Sequence, residues 1–600
     1  MATTKGLLGA KWLKSIGIGA LVGCLGIAVL FKDLLIRGNW SDYLWANDFD
    51  PRLIYWIVNW VYHIVFEQRQ PLEVWNANSF YPNLMTLAYS DSMLSMQIFF
   101  APLRLLGIPP MTSLYVGLAE TCLAGAILTQ CALSRIGYFS HVESALITFA
   151  AHFGLSVTGF LIHYQLFGFQ LAPSFFLFLY LYMRDFNKAD LVFLLLVFAI
   201  GVCFATYLAP MLTVLSLLIS LPLIAIRIRH LGTWQVFRKI GFTGVLSISL
   251  CILILYFVQL RPYLRVAKHF PKQSLEETSV YSANILSILR NRSKFSVWYG
   301  PSEYSTYGEW EYAYFPGFIL LSSGILCCIL IVSAITKWLA KKSQAPFGKG
   351  LPVKNSVIPF DFLVYITGLF MFSLILSWGP FCKSDHSIKL PFYYLSQIII
   401  GLDNVRAPGR FGMFVGLPLA VFLITSLRLL VARPAHRNIF GFLCLILIVI
   451  ESLPKFPIFP FSVDSKGIYK QISEEIQSGT PLLELPVAGK DHFETIKIAM
   501  EQLDGSTIHW GKLVVGYGSN KTTAQYEEIV RIDRLIQQGF ADPGRAIDFA
   551  LQYDILHLLV HLDRYDSSVA WKWRQLVHEA EVVILFESED ALFLRLRNTH

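Results

Sequence analysis

Charge is what this chain has least of. Asp, Glu, Lys and Arg make up 15% of its 600 residues, against 55% hydrophobic, where a soluble domain carries about a quarter charged. A soluble enzyme and a disordered chain are therefore excluded. The 46 Phe, 27 Tyr and 14 Trp exclude collagen-like and disulfide-scaffold classes as well. Of the nine cysteines, all but Cys382 lie in apolar runs, so neither a disulfide framework nor a zinc pattern is visible. The sequence also lacks an internal repeat, a low-complexity tract, and an HExxH or EF-hand pattern. It has no aromatic-interleaved basic patch of the kind that binds nucleic acid.

What it has instead is long apolar runs, which make it an integral membrane protein. A crossing helix needs about 20 apolar residues. Runs near 14–36, 112–133, 140–161, 165–183, 190–206, 207–226, 239–261, 313–337, 358–378, 409–431 and 438–454 predict about eleven spans. Lys5, Lys11 and Lys14 precede the first run, which lacks a small-residue cleavage site and reads as a retained signal anchor.

Basic residues gather in three connections: Arg227, Arg229, Arg238 and Lys239; Lys341, Lys342, Lys349 and Lys354; Arg433 and Arg437. These are predicted to be cytoplasmic. With the N-terminus also inside, an odd number of spans carries the C-terminus outside. Residues 92–107 are apolar but short and interrupted by Pro102. Counting them as a crossing inverts every basic loop downstream, so they read as an interfacial or re-entrant helix.

The predicted fold class is a polytopic α-helical membrane protein with a C-terminal extracytoplasmic α/β domain. The membrane domain covers 1–454, with large outer loops at about 37–111 and 262–312, and the terminal domain covers 455–600. The α/β expectation rests on strand-like runs at Leu482–Val487, Leu513–Tyr517, Leu558–Leu562 and Val582–Phe586 and a helical pattern over Thr523–Gln538.

The first outer loop is the richest in candidate chemistry. It holds Trp45, Asp48, Asp50, Pro51 and Arg52, a Trp-rich helix through Trp56 and Trp60, then Asn78, Tyr81, Pro82 and Asp91. Close like charges such as Asp48 and Asp50 raise one pKa unless a cation or metal relieves them, which is one way a base is tuned. An ordinary solvated connection also carries such pairs.

Elsewhere, His163 and Gln165 interrupt two spans on the outer side, and Glu309 and Glu311 precede the eighth span. Arg406 and Arg410 precede the tenth, and Arg261, Arg265 and Lys268 follow the seventh. Arginine grips phosphate through two nitrogens; snorkelling to lipid headgroups is the plainer use of the same residues. Glu120 and Glu143 fall within spans and are expected to pair with polar neighbours.

Asp48-Phe49-Asp50, in a large outer loop after an N-in helix, resembles the acidic motif of the GT-C superfamily of polytopic glycosyltransferases. The stretch from Asp50-Pro51 to Phe80-Tyr81-Pro82 and Asp91 is similar to a bacterial branch of that superfamily. So are Tyr281-Ser282, Glu311 with Phe315-Pro316-Gly317, Arg406-Ala-Pro-Gly-Arg410-Phe, Leu483-Glu484-Leu-Pro486 and Gly516-Tyr517-Gly518. The likeness runs over nearly the full chain. Each motif alone is weak, and their order and topology supply the specificity.

The resemblance implies an enzyme of the cytoplasmic (inner) membrane. It would move a sugar from a polyprenyl-phosphate donor to an envelope glycan, lipid or protein acceptor on the outer face, by an inverting displacement. It implies Asp50 as the base and Asp48 as its helper or a metal ligand, with the roles exchangeable. A single Mg²⁺ or Mn²⁺ on Asp48 and Asp50 is optional. Arg406, Arg410 and Arg261 are expected at the leaving phosphate, and Asp91, His163, Gln165 and Glu311 at the substrate. A carrier or flippase for a lipid-linked sugar, and a non-catalytic assembly protein on the same fold, are the alternatives.

Overall fold

The computed structural model describes residues 2–270, 272–290, 311–342, 358–464, 467–517, 522–579 and 582–597. The chain forms two compact units. The first comprises Met1–Gly38, Gly117–Gln259 and Lys272–Phe456, and the second Asn39–Val116, Leu260–Pro271 and Pro457–His600.

The first unit is helical, and a helix stands at each predicted run. Among the described residues eight helices are long and apolar enough to cross a membrane: Trp12–Leu30, Pro110–Ile136, Tyr164–Asp185, Leu208–Leu231, Thr233–Val266, Phe360–Ser377, Pro408–Leu430 and Pro434–Glu451. The protein is thus a multi-pass membrane protein. Of the other three runs, two give shorter or divided helices and the third a continuous one. His141–Phe153 stops at Gly154 before Leu155–Thr158, Lys188–Phe204 has 17 residues, and the eighth run gives Phe318–Lys342.

Several helix ends in this unit are joined by side-chain pairs. At one end, Arg428 at the close of its helix grips Glu143 at the start of His141–Phe153, with Nη2 2.7 Å from Oε2. Glu143 also closes a capping box with Ser140, so this buried acid has the polar neighbours expected of it. Arg227 reaches Asp361 at 3.2 Å and Ser140 Oγ bonds Asn438 at 3.1 Å, on ends that alternation assigns to the same side. Arg406, Arg410, His163 and Glu311 fall on the opposite ends. Lys349 and Lys354 lie outside the described residues.

Within residues 92–107 the one α-helix is Gln97–Leu105, of nine residues. At about 1.5 Å per residue it is roughly 13 Å long, under half of a hydrocarbon core of about 30 Å. Ile98, Leu105 and Leu106 are exposed along it, as on a helix that lies at an interface.

The second unit contains a five-stranded mixed sheet in the order 512–513, 481–485, 557–561, 591–596, 582–587. The first three strands are parallel and the last two antiparallel. Leu483, Leu485, Val560, Leu594 and Trp573 are fully buried in its core, and the helix Ala524–Gln537 matches the expected Thr523–Gln538. Two elements differ from expectation. Ala591–Leu596 is a further strand, and the predicted strand Leu513–Tyr517 stops at Leu513.

It stops because the first large loop takes over its backbone bonds. Leu513 N–H donates to Asn78 C=O at 3.0 Å, Tyr81 N–H to Leu513 C=O at 2.9 Å, and Phe80 N–H to Val515 C=O at 3.1 Å. A second junction joins Tyr43–Trp45 to Ile458–Pro460 as an antiparallel pair. The first large loop and the terminal α/β region therefore fold as one body, although most of the helical unit lies between them in the sequence.

Candidate functional site

The acidic motif sits where a bend meets a helix. Asp50 is the first residue of Asp50–Tyr62, and Pro51 follows at a position that suits its fixed φ and missing N–H. Shortly before this helix the backbone is extended and paired, so Asp48 and Asp50 flank the point where direction changes. Both are partly exposed. A solvent-reachable carboxylate at a helix start can accept a proton from a hydroxyl placed against it.

Asp48 has a fixed partner. Arg52, one helical turn on, donates from Nε to Asp48 Oδ1 at 3.1 Å and from Nη1 to Asp504 Oδ2 at 2.6 Å. Its guanidinium also lies 5.2 Å from the centre of the Phe461 ring. Arg52 thus ties the motif to the helix His492–His509. Burial pushes the Asp504 carboxyl up to about 7, and Arg52 offsets that only in part. The i to i+4 spacing of Asp48 and Arg52 was legible in the sequence. Asp504 gave no sign, because an acid inside an amphipathic helix reads as solvated.

Among the described residues no group of three or more His, Cys, Asp or Glu gathers in a way that could hold a metal ion. The optional Mg²⁺ or Mn²⁺ would have Asp48 and Asp50 as its protein ligands, and one oxygen of Asp48 already faces Arg52. Asp91 is partly buried in the same unit, next to Ser90, whose carbonyl accepts from Tyr263 at 2.7 Å. Arg261 opens the short helix Arg261–Val266 and is exposed.

In the helical unit, residues from three distant stretches meet. Arg410 donates to Glu311 through two nitrogens, Nε to Oε2 at 2.9 Å and Nη2 to Oε1 at 3.0 Å. His163 Nε2 stands 3.2 Å from Glu311 Oε1. The Arg410 guanidinium also lies 5.3 Å from the centre of the Tyr207 ring. Glu311 is buried, which by itself would raise its pKa, yet Arg410 and His163 hold it well below the ordinary carboxylate value. Gln165 lies in the turn after His163, and its Oε1 is buried with no partner among the described residues.

Beside this cluster Arg406 pairs with Glu277, its Nε 2.9 Å from Oε1. It also bonds the Tyr281 hydroxyl at 2.6 Å and lies over the Tyr281 ring at 4.5 Å. Both arginines are therefore engaged, in forks that could re-aim toward a phosphate. Gly409 between them allows the close approach: a Cβ there would stand 2.4 Å from Tyr312 Cβ and 2.7 Å from the Glu311 carbonyl oxygen. Glu309 and Gly518 lie outside the described residues.

Glu484 plays another part. Its Oε1 accepts from Tyr469 Oη at 2.5 Å and stands 2.7 Å from His561 Nε2 inside the sheet domain, where it is 1% exposed. It ties the helix Ile468–Glu475 to the strand His557–His561 and serves the fold.

No family model and no curated protein matches this sequence. Solved structures do. Over 97% of its length the chain matches the cryo-EM structure of arabinofuranosyltransferase AftD from Mycobacteria, with 13% identity and a TM-score of 0.53. A mutant form of that enzyme gives 97% coverage, 11% identity and a TM-score of 0.54. This chain spans 40–42% of the length of those proteins. The chain thus shares the fold of part of that enzyme over nearly its whole length.

Proposed function

We propose that this protein is a membrane glycosyltransferase that moves a sugar from a polyprenyl-phosphate donor to an envelope glycan, lipid or protein acceptor outside the cytoplasm. The observation that carries the reading is the likeness of 97% of the chain to an arabinofuranosyltransferase fold. Fold alone hosts many functions, and the sites supply the rest of the support. An acidic pair stands at a helix start in the second unit, and two arginines stand at the end of the helical unit that span alternation assigns to the outer face.

In this reading Asp50 takes the proton from an acceptor hydroxyl as its oxygen attacks the anomeric carbon. The bond from that carbon to the phosphate oxygen breaks, and its electron pair leaves with the polyprenyl phosphate, inverting the configuration. Arg406 and Arg410 bear the leaving group's charge together with Arg261, and Gln165, His163 and Asp91 act as polar contacts. Asp48, fixed by Arg52, sets the charge around Asp50. Asp48 and Asp50 would hold a divalent cation if one takes part, and it would supply positive charge for the leaving phosphate.

The test is reconstitution of purified protein with polyprenyl-phosphate sugars, arabinofuranose among them, and envelope extracts as acceptor source. Release of polyprenyl phosphate with a new glycosidic bond is the expected result. Movement of labelled lipid-linked sugar between leaflets with no new bond would overturn the reading in favour of a carrier.

A further inference from the structure

The second unit holds a cavity that the acidic motif does not use. Its volume is about 320 Å³, and its walls include Tyr55, Asn59, Tyr62, Glu67, Arg104 and Trp510. That volume lies at the small end of the range of roughly 300–1,000 Å³ seen in small-molecule sites, which combine rings with a few placed polar groups. We propose that this cavity is a carbohydrate subsite that holds a neutral sugar residue of the acceptor at a distance from the reacting hydroxyl. The acceptor role rests on the transferase reading, whereas the preference for carbohydrate rests on the cavity alone.

Three features select a sugar. First, the lining carries one fixed charge of each sign. Glu67 is held by His63 Nδ1 at 2.6 Å. Arg104 donates from Nη1 to the Ile108 carbonyl at 2.6 Å, while its buried Nε has no partner among the described residues. An anion would meet Glu67 and a cation would meet Arg104. A neutral polyol offers hydroxyls that donate to one and accept from the other.

Second, the rings are set as walls. Trp510 is stacked on His63, centroids 4.1 Å apart and planes 10° off parallel, and Trp60 flanks it at 6.0 Å. One face of the indole is thereby backed, and the remainder lines the cavity, an apolar body with a polar edge that suits a sugar ring.

Third, Trp510 is held in a conformation that a bulky residue seldom adopts, with φ +53° at the end of His492–His509. Both of its backbone groups are fixed, N–H to Ser506 C=O at 2.7 Å and C=O from Gly479 N–H at 2.9 Å. These two bonds over-determine the backbone there and so fix the indole against the cavity.

The position fits an acceptor. Asn59 lies nine residues after Asp50 on the same helix, about 13 Å along the axis at roughly 1.5 Å per residue. A glycan whose terminal hydroxyl reaches Asp50 would run back along that helix toward the cavity.

The experiment titrates the full-length protein in nanodiscs, without donor, against short neutral arabino-, manno- and galacto-oligosaccharides, read by saturation-transfer NMR and by hydrogen exchange. At least one oligosaccharide is expected to bind and to protect the segments 55–62 and 507–510. Trp510→Ala should weaken it about tenfold, roughly 1.4 kcal/mol for one lost aromatic contact. Trp510→Phe and Arg104→Gln should weaken it by smaller factors. Wild-type protein that binds none of the panel, protection that falls elsewhere, or binding unchanged in every folded variant would overturn the subsite. Because no transfer is measured, sugar binding without transferase activity would sink the proposed reaction and leave the subsite. Transfer without Trp510-dependent binding would do the reverse.

Discussion

The Glu311–Arg410 pair gives the sharpest test of how the helical unit builds this end. The two side chains are 7% and 16% exposed and share two hydrogen bonds. Removing one partner of a buried pair leaves the other charge without compensation and costs about 3–5 kcal/mol, while replacing both by apolar groups of similar volume is often close to neutral. Glu311→Leu and Arg410→Met should therefore each destabilise by roughly 3 kcal/mol, the low end, because some water reaches the arginine. The double variant should recover most of the loss and end within about 1 kcal/mol of the wild type, so that the two single losses couple by roughly 5 kcal/mol.

Detergent-solubilised protein followed by denaturant unfolding measures this ranking. Glu311 sits below its ordinary value of 4.5, so its contribution is complete above that pH and is lost only as pH falls well beneath it. The ranking should accordingly hold across the neutral range. Donor-lipid binding should not return in the double variant, because no cation remains at that position. Single losses that simply add in the double variant would refute the pair as a coupled unit, and recovered donor binding would remove Arg410 from the phosphate site.

Asp50→Asn should lower turnover by at least about a hundredfold at unchanged stability, the usual scale for a general base. Near-normal transfer would pass that role to Asp91 or Glu311. Asp48→Asn should cost less if Asp48 only orients its neighbour and comparably if both bind a metal, in which case Mn²⁺ titration should restore part of the rate. Gly409→Ala should destabilise the helical unit by about 1–3 kcal/mol through overpacking against Tyr312, read as a lower midpoint in thermal unfolding. Gly17→Ala, at a position with open space around it, supplies the neutral comparison. For Asp504, pushed by burial from 3.8 up to about 7, the folded state binds the proton more tightly than the unfolded chain. Its stabilising effect is thus complete below about pH 4 and lost as pH rises through about 7. Asp504→Asn should flatten that slope in thermal unfolding between those limits.

The helices were legible because membrane crossing demands long apolar runs and nothing else in the chain has that length. The α/β character of the end of the chain was legible from alternation and helical period. The shortened strand at Leu513 was not, since its partner Asn78–Tyr81 lies in the first large loop and no local pattern announces a bond across so much sequence. The same limit hid Asp504 and Trp510. Each gains its meaning from a helix, Asp50–Tyr62, that belongs to the other end of the chain. By contrast Glu311, His163 and Arg410 could be named from sequence as polar groups at span ends, although only the fold joins them into one cluster.

The motifs that carried the family resemblance fall into two physical kinds. Gly409 admits Tyr312 and Glu311, its N–H donates to the Tyr281 carbonyl at 3.2 Å, and Arg406 and Arg410 beside it are fixed by Tyr281 and Glu311. A Cβ on Gly516 would come within 2.5 Å of the Phe80 ring, so that glycine and the Phe80-Tyr81 step fit each other in the same way. These residues belong together because each makes room for, or holds, another. Asp48 and Asp50 are different: they are partly exposed, and the helix start would form with other residues in their place. Substitutions of the packing glycines should therefore cost stability first and activity as a consequence, whereas Asp50 should lose activity with the fold intact. That division is the reason to place the base on the acidic pair and to read Gly409 and Gly516 as scaffold, with Arg406 and Arg410 held by that scaffold.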